Sequence, residues 1–131
     1  MEIIQPDDWH CHLRDGDYLA RTVTDEATQF GRAIVMPNLK NPVKTVADAS
    51  AYRDRILKAI PAGQDFQPLM TLYLTDETTP QIIEAAAKSD IVFGCKLYPA
   101  GATTNSSAGV ADLTQLYPVF AAMEKTGLPL L

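Results

Sequence analysis

The sequence predicts an α/β fold, the N-terminal half of a (β/α)8 TIM barrel in which parallel strands alternate with helices. Three observations predict it. Short apolar runs alternate with longer stretches of helical period along the whole chain. Four strand-helix units are followed by the opening of a fifth, which is half of an eight-stranded barrel whose usual length is about 250 residues. An open doubly wound sheet is the rival architecture, but Leu13-Arg14-Asp15-Gly16-Asp17 after the first strand holds one glycine and no glycine-rich phosphate loop.

The elements follow in order. A first strand is expected near Ile3 to Leu13, then a helix from about Asp17 to Phe30 carrying Tyr18, Leu19, Val23 and Ala27. Arg32 to Met36 is a second, nearly all-apolar strand ended by Pro37. Thr45, with Asp48 three residues on, reads as the N-cap of a second helix that runs through Tyr52 and Ile56 to Pro61-Ala62-Gly63. Pro68 to Leu74 is the third strand. Thr79-Pro80 caps and opens a third helix with Ile82, Ile83, Ala86 and Ala87 on its apolar side. Ile91 to Tyr98 is the fourth strand, and a polar loop from Pro99 to Gly109 leads to a helix from about Asp112 to Lys125, stopped by Gly127. Gly127 to Leu131 reads as the entrance to a fifth strand. The whole chain, 1–131, is therefore expected to be a single partial barrel domain.

Composition narrows the function classes. The 131 residues are 47% hydrophobic and 21% charged, as in a globular chain with one modest core. A net charge of -5 without a Lys/Arg cluster makes nucleic acid a poor partner. No apolar run approaches the roughly 20 residues that cross a bilayer and no signal peptide opens the chain, so a cytoplasmic location is expected. Cys11 and Cys95 lie far apart in apolar stretches, as reduced core thiols do.

The strongest chemical signal is Asp8-Trp9-His10-Cys11-His12-Leu13-Arg14. On a strand, side chains two apart share a face at roughly 6.6 Å. Asp8, His10, His12 and Arg14 are thereby expected on one face, lining a cavity, and Trp9, Cys11 and Leu13 on the other, packed on helices. His10 and His12 are the only two histidines of the chain. Two imidazoles at this spacing suit one divalent ion such as zinc, although two hydrogen-bonded histidines at a strand end would give the same pattern. Lys96 lies in an apolar strand, where a desolvated amine turns neutral and nucleophilic. Such an amine reacts with carbon dioxide to give a carbamate able to bridge two metal ions, with Gly94 leaving room for them; a lysine that snorkels or pairs with Asp8 is the alternative. Arg14 is suited to grip a carboxylate through two hydrogen bonds, or to pair with Asp15 or Asp17. Asn38 follows the second strand, where a barrel presents residues to substrate and where turn asparagines are also common.

Together, His10-x-His12-Leu13-Arg14-Asp15-Gly16, Met36-Pro37-Asn38 and the run Lys96-Leu97-Tyr98-Pro99-Ala100-Gly101-Ala102-Thr103-Thr104-Asn105-Ser106 closely resemble the bacterial, single-function dihydroorotases of the amidohydrolase superfamily. The resemblance covers essentially the whole chain and is most specific around Lys96. It implies a barrel enzyme with two zinc ions that interconverts N-carbamoyl-L-aspartate and L-dihydroorotate in pyrimidine biosynthesis, and a homodimer. It further implies that His10 and His12 bind the more buried zinc, that carboxylated Lys96 bridges both, and that Arg14 and Asn38 hold the substrate carboxylate.

The resemblance also implies histidines for the second zinc and a catalytic aspartate on later strands, which these residues do not include. The chain is therefore expected to be part of a longer enzyme and inactive by itself. Cys11 stands where the family more often has leucine. Two other readings compete: a hydantoinase-like or dihydropyrimidinase-like cyclic amidase, and a non-catalytic dihydroorotase-like module.

Overall fold

The computed structural model describes residues 3–131. Four strands, β1 (Asp7–Cys11), β2 (Arg32–Val35), β3 (Gln67–Tyr73) and β4 (Val92–Lys96), form one parallel sheet in the order β1-β2-β3-β4. Parallel neighbours need crossovers, and the chain supplies a helix for each: α1 (Leu19–Ala27), α2 (Val46–Ala59) and α3 (Pro80–Ala87), with α4 (Tyr117–Thr126) after β4. Sequential strand order with a helix in every connection is the repeat of the first half of a (β/α)8 barrel, as the sequence predicts. The expected fifth strand also begins. Cys95 N donates to the Pro129 carbonyl at 2.9 Å, Leu131 N donates back to the Cys95 carbonyl at 2.9 Å, and residues 129–131 thus run parallel beside β4.

Local chemistry sets the helix boundaries. The Thr45 hydroxyl accepts from Asp48 N at 3.2 Å while the Asp48 carboxylate accepts from Thr45 N at 3.0 Å, a reciprocal cap that opens α2. Thr79 caps α3 and Pro80 occupies its first position, where a missing N–H costs nothing. Gly127, at φ 73°, closes α4 in the left-handed region. Each helix lays one stripe on the sheet: Leu19, Val23 and Ala27; Ala49, Tyr52 and Ile56; Ile83 and Ala86; Val119, Ala122 and Met123. They meet Ala33, Val35, Met70, Leu72 and Cys95 in one core. Burying a side chain such as Ile56 or Ile83 contributes about 2 kcal/mol. Tyr18, expected on the apolar side of α1, is 70% exposed, because the chain enters that helix through a short 3-10 turn at Gly16–Tyr18. Ala87, at the end of α3, also faces solvent.

The expected division of faces in β1 fails at one point, for a specific reason. Asp8 pairs with Ala33 and Cys11 with Val35, so three steps of β1 match two steps of β2. That is a β-bulge. It brings Asp8 and Cys11 out on the same, helix-facing side, where their ligand atoms and that of Glu26 in α1 lie within 4.8 Å of one another. Asp8 is therefore not on the histidine face. The bulge also takes Trp9 out of the helix packing expected for it: the indole is 58% exposed and lies under the Arg32 guanidinium, 5.8 Å from the ring centroid. Cys11 and Leu13 do pack inward, as expected, at 7% and 1% exposure.

Candidate metal and substrate site

His10 belongs to β1 and His12 follows its last residue. Their Nε2 atoms face each other at 3.2 Å, with ring centroids 5.2 Å apart and planes tilted by 48°. Two nitrogens bound to one tetrahedral zinc at about 2.05 Å would lie about 3.3 Å apart, so the donor pair fits a shared divalent ion. Burial, followed by the neighbouring charges of Arg14, His10 and Lys96, lowers the pKa of His12, with the nearby Asn38 amide opposing. Lowering keeps the imidazole neutral, the form that carries a ligand lone pair.

Arg14 lies beyond the strand, in the left-handed region at φ 61°. A side chain rarely adopts this conformation without support. Here the Tyr52 hydroxyl donates to the Arg14 carbonyl and the Thr22 hydroxyl donates to that of Leu13. The guanidinium is half-buried, and its Nη1 is enclosed with no hydrogen-bond partner among the described residues. Neither nearby aspartate takes it up. Asp15 pairs instead with Arg55, at 2.7 Å, and Asp17 forms no ion pair among the described residues. Arg14 and Lys40 line a cleft of about 400 Å³ that Thr104 and Asn105 wall on the far side. Neither histidine lines this cleft.

Asn38, two residues after Met36 leaves the β2 line, is 2% exposed. Its Oδ1 accepts from the Tyr98 hydroxyl at 3.1 Å and its Nδ2 donates to the Thr104 carbonyl at 3.0 Å. The side chain is thus a buried junction between the ends of β2 and β4. Lys96 closes β4, half-buried, with Nζ 5.5 Å from the Tyr98 ring centroid. It makes no ion pair with Asp8, whose carboxylate lies beyond the bulge and accepts from His10 N at 2.7 Å. Gly94 does not leave open room, contrary to expectation. A Cβ there would stand 3.2 Å from the Pro129 carbonyl oxygen, so glycine admits the incoming 129–131 segment instead.

Sequence reasoning missed two features. Tyr98 was inside the recognised motif but carried no assigned role, because a strand tyrosine reads as core. The group Asp8, Cys11 and Glu26 depends on the bulge, which no local pattern announces. Burial, then Glu26, raises the Cys11 thiol far above its ordinary pKa, and burial also raises that of Glu26. The thiol is turned toward Asp8 and Glu26 and packs into the core at 7% exposure. Cys11→Ser in the full-length protein should therefore leave metal content unchanged by elemental analysis; a clear loss of metal would place the thiol at the centre after all.

The convergent histidine pair, the lysine that closes β4 and the arginine beyond β1 all lie at or just past the C-terminal ends of their strands. The profile of the Amidohydrolase family matches residues 3–130, and the chain belongs to that family. Within it, the similar curated proteins are dihydroorotases: the chain is 62% identical over 131 residues to that of Ralstonia pickettii and 64% identical to that of Cupriavidus taiwanensis, covering 100% of this chain and 38% of each relative. The crystal structure of dihydroorotase from Campylobacter jejuni matches 96% of this chain and 37% of its own, at 41% identity and a TM-score of 0.87. Dihydroorotase from Saccharomyces cerevisiae, in complex with 5-fluoroorotic acid, matches 95% of this chain and 34% of its own, at 35% identity and a TM-score of 0.86. The chain spans about 38% of the length of the curated relatives it matches.

Proposed function

We propose that the protein to which these residues belong is a zinc-dependent dihydroorotase, interconverting N-carbamoyl-L-aspartate and L-dihydroorotate. The observation that carries this reading is Arg14, which lines the cleft and whose enclosed Nη1 has no hydrogen-bond partner among the described residues. An enclosed cationic donor without a partner is costly, and a ligand carboxylate is the group that satisfies it. Lys40 adds a second positive charge to the same cleft. A cyclic amide without a ring carboxylate has no use for this arrangement, which favours dihydroorotate over hydantoin-like substrates. The similarity to a yeast enzyme that binds a ring carboxylic acid supports the same choice.

His10 and His12 would hold one zinc, and Lys96, as its carbamate, would bridge to a second. Zinc bound there supplies a water acidic enough to react near neutral pH and polarises the ring amide carbonyl. Arg14 grips the substrate carboxylate and sets the ring's orientation, and Asn38 offers an amide N–H to the same group. Neutral His12 keeps its lone pair for the metal. A homodimer of the whole protein in the cytoplasm belongs to this proposal.

In this reading both histidines are committed to the metal, and the neighbouring Asp8 carboxylate is turned to the His10 N–H and toward Cys11 and Glu26. By themselves the 131 residues should hydrolyse no dihydroorotate above the buffer blank in an absorbance assay with added zinc. Metal-dependent turnover by this chain alone would show that the working site needs nothing more. The full-length protein tests the reading directly: turnover of dihydroorotate, abolished by a chelator and restored by zinc, is the expected result. Turnover of dihydrouracil or hydantoin in preference to dihydroorotate would favour the other cyclic amidases.

A further inference from the structure

An amide side chain is ambiguous toward an anion. Its NH2 attracts a carboxylate and its oxygen repels one, and a rotation of 180° about the last side-chain bond exchanges them. If Asn38 is to help Arg14 hold a carboxylate, something must fix which end is offered to it. Three observations identify what does so. The Tyr98 hydroxyl donates to Asn38 Oδ1 at 3.1 Å, across 60 residues of sequence, with both residues at 6% exposure or less. Tyr98 is itself held by stacking on Tyr73, ring centroids 5.0 Å apart and planes 28° apart. Tyr73 is wholly buried and donates its hydroxyl to the Asn105 carbonyl at 3.3 Å, while Asn105 Nδ2 donates to the Asn38 carbonyl at 3.2 Å. The Asn38 backbone and the oxygen end of its side chain are therefore both fixed from the β4 side.

We propose that Tyr98 is a positioning residue that locks the Asn38 amide with its oxygen turned inward and its NH2 available to the substrate carboxylate. The inference rests on the carboxylate-binding reading of Arg14 and Asn38. One Nδ2 hydrogen is used by the Thr104 carbonyl, at 3.0 Å, and the other has no hydrogen-bond partner among the described residues. Tyr98 suits the task because its hydroxyl hydrogen points at Asn38 Oδ1 and its ring is held by the stack on Tyr73. A flipped amide would set Nδ2 against the tyrosine hydroxyl and aim a repelling oxygen at the ligand. The chemistry selected is a planar carboxylate beside the scissile ring.

The test uses the full-length enzyme and a cycle of Tyr98→Phe and Asn38→Ala, each alone and combined, with Arg14→Ala as reference. Tyr98→Phe keeps the ring stacked on Tyr73 and removes only the donor. It should raise the KM for dihydroorotate about fivefold with kcat within about twofold, the loss of one neutral hydrogen bond. In the Asn38→Ala background the same change should add nothing, because its effect passes through that amide. Asn38→Asp, which keeps an acceptor for Tyr98 but offers no NH2, should raise KM more than Asn38→Ala does. A Tyr98→Phe penalty that persists without Asn38, or Asn38→Asp binding as well as wild type, overturns the proposal. So does a silent Tyr98→Phe beside a costly Asn38→Ala, and in that case the carboxylate-site reading survives. If neither Asn38→Ala nor Arg14→Ala moves KM, the carboxylate site itself is wrong and the proposal falls with it.

Discussion

His12→Ala in the full-length protein is expected to lower dihydroorotate turnover by about a thousandfold and to release metal, because one ligand of a histidine pair is removed. Metal activation of water and carbonyl is worth several kcal/mol, and about 4 kcal/mol corresponds to that factor. The pair is built to fail together. Nε2 of His10 and of His12 face each other at 3.2 Å, so deleting either leaves a single nitrogen where two converged. Elemental analysis alongside kinetics separates this from a packing role. A core histidine would lower the unfolding midpoint and leave metal content intact, whereas a ligand loses metal with the fold preserved. Unchanged metal and turnover within tenfold of wild type would mean that the two rings merely hydrogen-bond to each other.

Arg14→Ala should cost about a hundredfold in kcat/KM for dihydroorotate, most of it through KM. A charge-assisted hydrogen bond contributes about 1.5 to 3 kcal/mol, and a bidentate grip on a carboxylate makes use of two. The folded chain pays little for the loss. Arg14 has no ion pair to break among the described residues, and its carbonyl still accepts from Tyr52 when the side chain is shortened. Lysine at this position should recover only part of the binding, because a point charge cannot match the planar fork. Kinetics with dihydroorotate unchanged in Arg14→Ala would turn the assignment toward a cyclic amidase whose substrate lacks the carboxylate.

The two predictions draw on different depths of the sequence. Strand and helix order was legible throughout, because apolar periodicity and end signals are local: Thr45 with Asp48, Thr79 with Pro80, and Gly127 fall where the helices begin and end. The candidate residues were legible too, since His10, His12, Arg14, Asn38 and Lys96 sit at or just beyond the C-terminal ends of β1, β2 and β4. Their surroundings were less so. Strict alternation through Arg14 gave the right histidine face and the wrong place for Asp8 and Trp9, because it had no means of placing a bulge.

What the sequence determined by itself was the order of elements, their chemistry at the ends, and which candidate residues fall at the strand ends. Periodicity and capping are decided within about one or two helical turns, so neighbours in sequence suffice. Only the tertiary structure decided that the bulge sends Asp8 to Cys11 and Glu26, that Gly94 makes way for residues 129–131, and that Tyr98 holds Asn38 across 60 residues. Each of these is a contact between segments that packing brings together, and its partner is fixed by strand register and loop path, which local pattern does not encode.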